Sequence, residues 1–285
     1  MYRREFLLEA VTPMLLHGTD TGKPEIRTSS FKGMMRWTMR TLLGAMYSVD
    51  TVKSIDFFIN GDTEHASLWK LSVLPASQLK EVKAGRFYKG YDSGTKIYVK
   101  LSSDSEDVLL LSVVIFGAMI RNFGVGQRWR HGYGKFKRIN GDKLLSSDFQ
   151  TIVNVMERLS GTVLKTVTLK PNNDSVKFPY VYVDENSHYA FTVDTGIKNP
   201  IKAVNDVKYV VKDIFEDISK NYHVKAWHVF GKVKGGRVPS RIIYRPLSEG
   251  KVRVIFLRIP EAKGKDKALY KNLLSELIKA YSYRR

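Results

Sequence analysis

Three stretches of the sequence combine residue types that can hold phosphate or stack on bases. In the first, Glu25-Ile26-Arg27-Thr28-Ser29-Ser30-Phe31-Lys32-Gly33-Met34-Met35-Arg36-Trp37-Thr38-Met39-Arg40, the cations Lys32, Arg36 and Arg40 are four apart. On a helix that spacing lines them along one face, where like charges destabilise an isolated helix by about 0.2–0.5 kcal/mol per pair. Arg27 and Lys32, early in such a helix, also oppose its macrodipole. Phosphates running past the row would offset both effects, because helix N-termini and arginine clusters bind them. A solvated basic face is the plainer alternative.

The second stretch, Gly124-Val125-Gly126-Gln127-Arg128-Trp129-Arg130-His131-Gly132-Tyr133-Gly134-Lys135-Phe136, brackets polar and aromatic residues with Gly124, Gly126, Gly132 and Gly134. Glycine permits backbone shapes and close approaches that side chains forbid. Arg128 and Arg130 suit phosphate, Trp129 or Tyr133 suit base stacking, and Gln127 and His131 sit among them, which is the chemistry of a single-stranded nucleic-acid site. A glycine-rich hairpin without a ligand remains open. No Gly-Lys-Ser/Thr follows, and the stretch succeeds a helical pattern rather than a strand, so neither a P-loop nor a dinucleotide fingerprint is supported. The third stretch, Phe230 to Arg241, repeats the theme with Lys232, Arg237 and Arg241 around Gly235-Gly236. It reads equally well as a hairpin turn with solvated edge charges.

Other chemistry is poorly supplied. Asp20 and Asp56 belong to no recognisable carboxylate pair, and no set of Mg²⁺ ligands can be nominated. With no cysteine the chain forms neither disulfides nor cysteine-based zinc sites. We therefore expect no cofactor and no metal.

The elements that must position these residues follow from hydrophobic period. Phe6 to Val11 reads as a buried strand closed by Thr12-Pro13. From Ser30 a helix carries Met35, Met39, Leu42, Leu43 and Met46 on one face, with Ser29 or Ser30 as N-cap. Strands around Leu68 to Leu74 and Ile97 to Leu101 flank a basic loop, Lys80 to Lys96. A helix from Glu106 to Asn122 and a strand from Tyr133 to Ile139 complete a strand-helix-strand-strand-helix-strand order, the ferredoxin-like arrangement shared with RNA-recognition modules. Residues 141–147 are polar and mark a boundary, giving domains 1–143 and 144–285. The second is expected to be a variant α+β unit, with a helix from Ser147 to Leu159 and strands at Val163 to Leu169, Val176 to Val183 and Tyr189 to Val193. A helix from Ala203 to Ser219 with Val207, Val210, Val211, Ile214 and Ile218 apolar comes next, then Ala226 to Phe230, Arg241 to Tyr244, Val252 to Ile259 and a terminal helix from Lys267 to Tyr281. The fold class is α+β, two tandem ferredoxin-like domains.

The 285 residues are 43% hydrophobic and 12% aromatic, enough for a full core in each half. The 47 Lys and Arg outnumber 28 Asp and Glu, a formal charge of +19 that an anionic partner would balance. A nucleic acid is the usual such partner, a dispersed lysine surface the alternative. Arg3, Arg4, Glu5 and Glu9 interrupt the apolar start, so no secretory signal is expected. Val108 to Ile120, the longest apolar stretch, is short of the roughly 20 residues of a membrane span. We expect a cytoplasmic protein with no membrane contact.

In this order the segments resemble the RAMP superfamily of CRISPR proteins, and within it the first-numbered subunits of type III-B (Cmr) RNA-targeting effector complexes. Thr12-Pro13 and Leu15-Leu16-His17-Gly18 match the end of the leading strand and the loop after it. Glu25, Arg27, Ser30, Lys32, Gly33, Arg36 and Arg40 meet a Glu-x-Arg-x-x-Ser-x-Lys/Arg-Gly-x-x-Arg-x-x-x-Arg pattern, with Trp37 in the aromatic run. Gly124 to Phe136 fits the glycine-rich loop, and Phe230-Gly231 with Arg237-Val238-Pro239-Ser240 resembles a later segment. Thr38 departs from the aromatic usual there. The resemblance implies tandem ferredoxin-like domains and a non-catalytic subunit. Its implied partners are guide or target RNA near the guide's 3′ end and other RAMP subunits. The runner-up it implies is an endoribonuclease that processes CRISPR RNA, or another type III RAMP subunit. Cleavage would use a histidine on the 2′-hydroxyl, for which His17 and His131 are the candidates placed near the expected RNA contacts. Each also reads as an ordinary loop histidine.

Overall fold

The computed structural model describes residues 1–18, 20, 23–84, 88–145, 149–171, 190–222, 224–231, 240–247, 250–257, 259 and 265–282. The expected strand at Val176 to Val183 and the residues Lys232 and Arg237 lie outside them. The chain divides into two compact units, Met1–Trp129 with Tyr133–Asn173, and Arg130–Gly132 with Asp174–Arg285. Both are mixtures of helices and antiparallel sheets.

In the first unit, β1 (Tyr2–Ala10), β2 (Trp69–Pro75), β5 (Lys96–Ser103) and β6 (Phe136–Gly141) form an antiparallel sheet in the order β2-β5-β1-β6. Strict alternation on β1 buries Phe6, Leu8 and Ala10 against the helices. Behind the sheet lie α1 (Thr28–Leu43) and α3 (Glu106–Asn122). Nearly every position of α3 from Val108 to Ile120 is buried, because sheet, α1 and α4 (Phe149–Gly161) all pack around it. Phe6 meets Phe116 at 5.0 Å and Phe31 meets Phe136 at 5.7 Å, tying β1 to α3 and α1 to β6. No helix among the described residues is long and apolar enough to cross a membrane.

Several expectations needed correction. Ser29 and Ser30 lie inside α1, and Arg27 occupies the N-cap position without a side-chain cap. The structure adds a helix, α2 (Val49–Asn60), to the expected order; Ser48 caps it, Asp50 lies in its first turn, and Gly61 ends it at φ 66°. The basic loop contains a hairpin of β3 (Glu81–Ala84) and β4 (Tyr88–Tyr91). Val163 to Leu169 forms no strand. The Thr168 carbonyl instead accepts from Thr51 Oγ1 at 3.1 Å, and the amide of Ser48 donates to the Lys170 carbonyl at 2.9 Å. With Arg158 of α4 paired to Asp107 at 2.6 Å, these bonds hold residues 149–171 to the first unit. The expected boundary at 143/144 and the division at 173/174 thus differ by α4 and the segment after it.

In the second unit β7 (Ala190–Asp194), β8 (Ile242–Pro246) and β9 (Lys251–Phe256) form an antiparallel sheet in the order β7-β9-β8. It is covered by α5 (Pro200–Ile218) and α7 (Asp266–Ser282). Asn199 caps α5 by accepting from the amides of Ile201 and Lys202, with Pro200 at the first position. The buried face of α5 is Ala203, Val204, Val207, Val211 and Phe215, shifted from the expected one: Val210, Ile214 and Ile218 are half-buried. Ala226–Phe230 is a short helix, α6.

Candidate functional site

The loop after β1 and the glycine-rich loop are built against each other. The Val11 amide donates to the Lys135 carbonyl at 2.7 Å, Gly134 to Pro13 at 2.9 Å, and Gln127 to Leu15 at 2.8 Å. At these separations there is no room for side chains. A Cβ on Gly126 would lie 2.6 Å from the Leu15 oxygen, and one on Gly134 would lie 1.9 Å from the Val125 oxygen. Both glycines also hold positive φ, 95° and 62°. They permit close approach of one part of the chain to another, where the sequence alone suggested approach to a ligand. Gly124 has the same function, with the Tyr133 oxygen 2.7 Å from a Cβ placed on it.

This scaffold brings the loop to α1. Trp37 packs edge-on against Trp129 with ring centroids 4.8 Å apart and against Phe123 at 5.1 Å. Both tryptophans are half-buried. The Lys135 side chain is fully buried, its Nζ 5.9 Å from the centre of the Trp129 ring. Gln127 and Arg128 stand exposed at the turn, and Tyr133 is half-buried. Arg128 adopts φ 55°, a left-handed conformation uncommon for a residue with a side chain.

The basic row of α1 is organised by a residue that sequence spacing left without a role. Asp56 of α2, with a side chain 4% exposed, accepts from Arg36 Nε at 2.8 Å and Nη2 at 2.8 Å, and from Arg40 through both Nε and Nη2. Asn60 adds a third donor at 2.9 Å. Burial pushes the Asp56 carboxyl up, but the Arg36 and Arg40 hydrogen bonds outweigh it and hold its pKa below the usual carboxylate range. Arg36 and Arg40 keep 37% and 38% of their side-chain surface exposed. Lys32 lies 5.2 Å from the centre of the Trp69 ring; burial, then the neighbouring Arg36 charge, lowers its pKa. Gly33 is exposed on the same helix, and a Cβ there would meet nothing within 4 Å. Arg27 is half-buried at the N-terminus of α1, whose first turn has no acidic residue.

The remaining residues fall elsewhere. Arg130, His131 and Gly132 belong to the second unit, where the Arg130 guanidinium donates to the Ser240 carbonyl and the Tyr244 amide donates to the Arg130 carbonyl at 2.9 Å. A Cβ on Gly132 would lie 3.0 Å from Val204. Arg241 is buried, 8% exposed, in the same unit. His17 lies in the first unit, half-buried, its Nδ1 enclosed without a hydrogen-bond partner among the described residues. The two histidines are thus divided between the units. Among the described residues no three His, Cys, Asp or Glu side chains cluster to hold a metal ion.

Residues 7–137, which include the Thr12-Pro13 loop and the glycine-rich loop up to Lys135, match the model of the RAMP superfamily. That match takes in a little under half of the chain. The chain is 30% identical over 172 residues to the CRISPR system Cmr subunit Cmr1-1 of Pyrococcus furiosus, covering 52% of this chain and 51% of that protein. With Cmr1-2 of the same organism it is 31% identical over 116 residues, covering 40% and 60%. The match thus spans about half the length of the first relative. Structural similarity reaches beyond residues 7–137. The crystal structure of Cmr1 from Pyrococcus furiosus in its apo form superposes with a TM-score of 0.58 at 21% identity, over 91% of this chain and 88% of that one. A chain in the cryo-EM structure of the type III-B Cmr-beta bound to cognate target RNA superposes with a TM-score of 0.59 at 9% identity, over 96% and 99%.

Proposed function

We propose that this chain is a non-catalytic, RNA-binding subunit of a type III-B CRISPR ribonucleoprotein, cytoplasmic, acting in antiviral defence on guide or target RNA near the guide's 3′ end. The single observation that carries the reading is the contact of Trp37 with Trp129. It places the basic helix α1 beside the first arm of the glycine-rich loop, Gly124 to Trp129, in one unit. Arg27, Lys32 and the exposed edges of Arg36 and Arg40 then offer cations along one strand path, Arg128 and Gln127 continue it, and Tyr133 or the exposed edges of the tryptophans serve for stacking. Gly33 supports the same path. A glycine inside a helix destabilises it by about 1 kcal/mol relative to alanine, and open space over this one leaves a flat spot where a sugar-phosphate backbone can lie. Arg130 and His131 of the second unit, with Lys232 and Arg237, are proposed as that unit's own RNA contacts, whereas the burial of Arg241 keeps it from a strand.

Both units read as ferredoxin-like. In the first, the order β2-β5-β1-β6 has the helical crossovers of a split βαβ pair, with α2 and the β3-β4 hairpin as additions. In the second, β7-β9-β8 with α5 and α7 has the same beginning. The similarity to Cmr1-1 and Cmr1-2 supports partnership with other RAMP subunits.

Titration of labelled single-stranded RNA with the purified chain tests the reading. Affinity should fall steeply with salt, because neutralised phosphates release counterions. Replacing Arg128 and Arg130 together by alanine should weaken binding at every salt concentration, and the RNA should remain intact throughout. No retention of RNA at low salt, or equal binding by the double variant, defeats the proposal. Cleavage lost in His17→Ala or His131→Ala would establish an endoribonuclease instead.

A further inference from the structure

Among the described residues the other face of the first sheet carries no helix, and it points to a second surface. Across it, Leu7 of β1 stands opposite Tyr98 of β5, and Tyr98 opposite Leu74 of β2. These side chains form an apolar row, with Tyr98 55% and Leu74 60% exposed. Their strand neighbours Phe6, Leu8, Ile97, Val99 and Val73 are buried on the helical side.

The flanks of the row are basic. In one direction Lys100 pairs with Glu5 at 3.8 Å, with Lys70 beyond; in the other Lys137 pairs with Glu9 at 2.7 Å, with Lys96 alongside. Lys70 and Lys96 have no acidic partner among the described residues, so the flanks keep a positive excess after Glu5 and Glu9 are matched. Edge-on pairing at β2 is discouraged by Pro75 and Lys70, so the partner meets the face rather than extending the sheet.

We propose that this face docks a neighbouring protein subunit of the same ribonucleoprotein, one presenting an apolar ridge flanked by Asp and Glu. A polynucleotide fits less well. The row holds a single aromatic side chain between two leucines, and a phosphodiester strand crossing the sheet would pass over Glu5 and Glu9 on its central strand. The apolar row supplies contact area, and Lys70 and Lys96 select an acidic rim. The proposal rests on the assembly reading above but not on RNA binding by α1 or the glycine-rich loop.

The test is co-expression of the full chain with the other RAMP subunits of its complex. Tyr98→Glu with Leu74→Glu should reduce incorporation at least ~10-fold, about 1.4 kcal/mol, while RNA binding by the purified chain stays at the wild-type level. Carbodiimide, which joins lysines to carboxylates in direct contact, should link Lys70 or Lys96 to acidic residues of another subunit. If the wild type assembles and the variant assembles equally without such links, this proposal fails alone. Ultraviolet crosslinking of Tyr98 to RNA overturns it in favour of a nucleic-acid surface. If the wild type itself does not assemble, the ribonucleoprotein reading falls and this proposal with it.

Discussion

Arg36 and Arg40 of α1 and Arg128 of the glycine-rich loop carry the same side chain into different physical circumstances. The first two converge on the buried carboxylate of Asp56, which fixes their guanidinium planes and neutralises part of their charge. Arg128 is exposed on a backbone held in a left-handed conformation. One pair is built into the fold, and the other arginine is displayed at a backbone cost. A conformation that is locally unfavourable persists where the surrounding structure dictates it, and such residues cluster at functional sites. The difference teaches that a row of cations on a helix is no measure of the charge it offers a ligand.

The sharpest way to break this comparison is Asp56→Ala. It should lower unfolding free energy by about 3 kcal/mol, towards the low end for a severed buried ion pair because both arginines keep access to water. Chemical denaturation reads it, and a change below about 0.5 kcal/mol would mean that Asp56 does not organise α1. Arg128→Ala should do the reverse, leaving stability nearly untouched while weakening single-stranded RNA about tenfold. Gly33→Ala sharpens the contrast within α1 itself. It should raise stability by about 0.5–1 kcal/mol through helix propensity, yet weaken RNA binding by obstructing the flat spot.

The smallest effect is in pH. The contribution of Asp56 to stability is complete above its unfolded pKa of about 3.9 and is lost as pH falls through its lower folded value. Stability measured from pH 5 to pH 2 should therefore decline less steeply in Asp56→Asn than in the wild type.

Much of this architecture was legible because hydrophobic period reports burial directly. Glu106 to Asn122 was read as it stands, since its apolar run is too short for a membrane and too continuous for a surface helix. The α2 helix escaped notice although its signals were present: Ser48 before Asp50, then Val52, Ile55 and Ile59 on one face, then Gly61. With it went Asp56, because nothing in a linear spacing shows that a carboxylate 16 or 20 residues away meets Arg40 and Arg36. The glycines read from sequence as positions of close approach to a nucleic-acid strand, and at Gly126 and Gly134 the approaching chain is the protein's own. Val163 to Leu169 reads as a strand candidate, whereas it forms no strand and its Thr168 carbonyl accepts from Thr51 of α2.

The most direct measurement is the salt dependence of single-stranded RNA binding for the wild type, Lys32→Ala, Arg128→Ala and the double variant. If α1 and the glycine-rich loop together contact one strand, the slope of log affinity against log salt should fall by about 0.7 for each removed cation, and by their sum in the double variant. Slopes identical to the wild type in both single variants would show that neither region touches RNA phosphate.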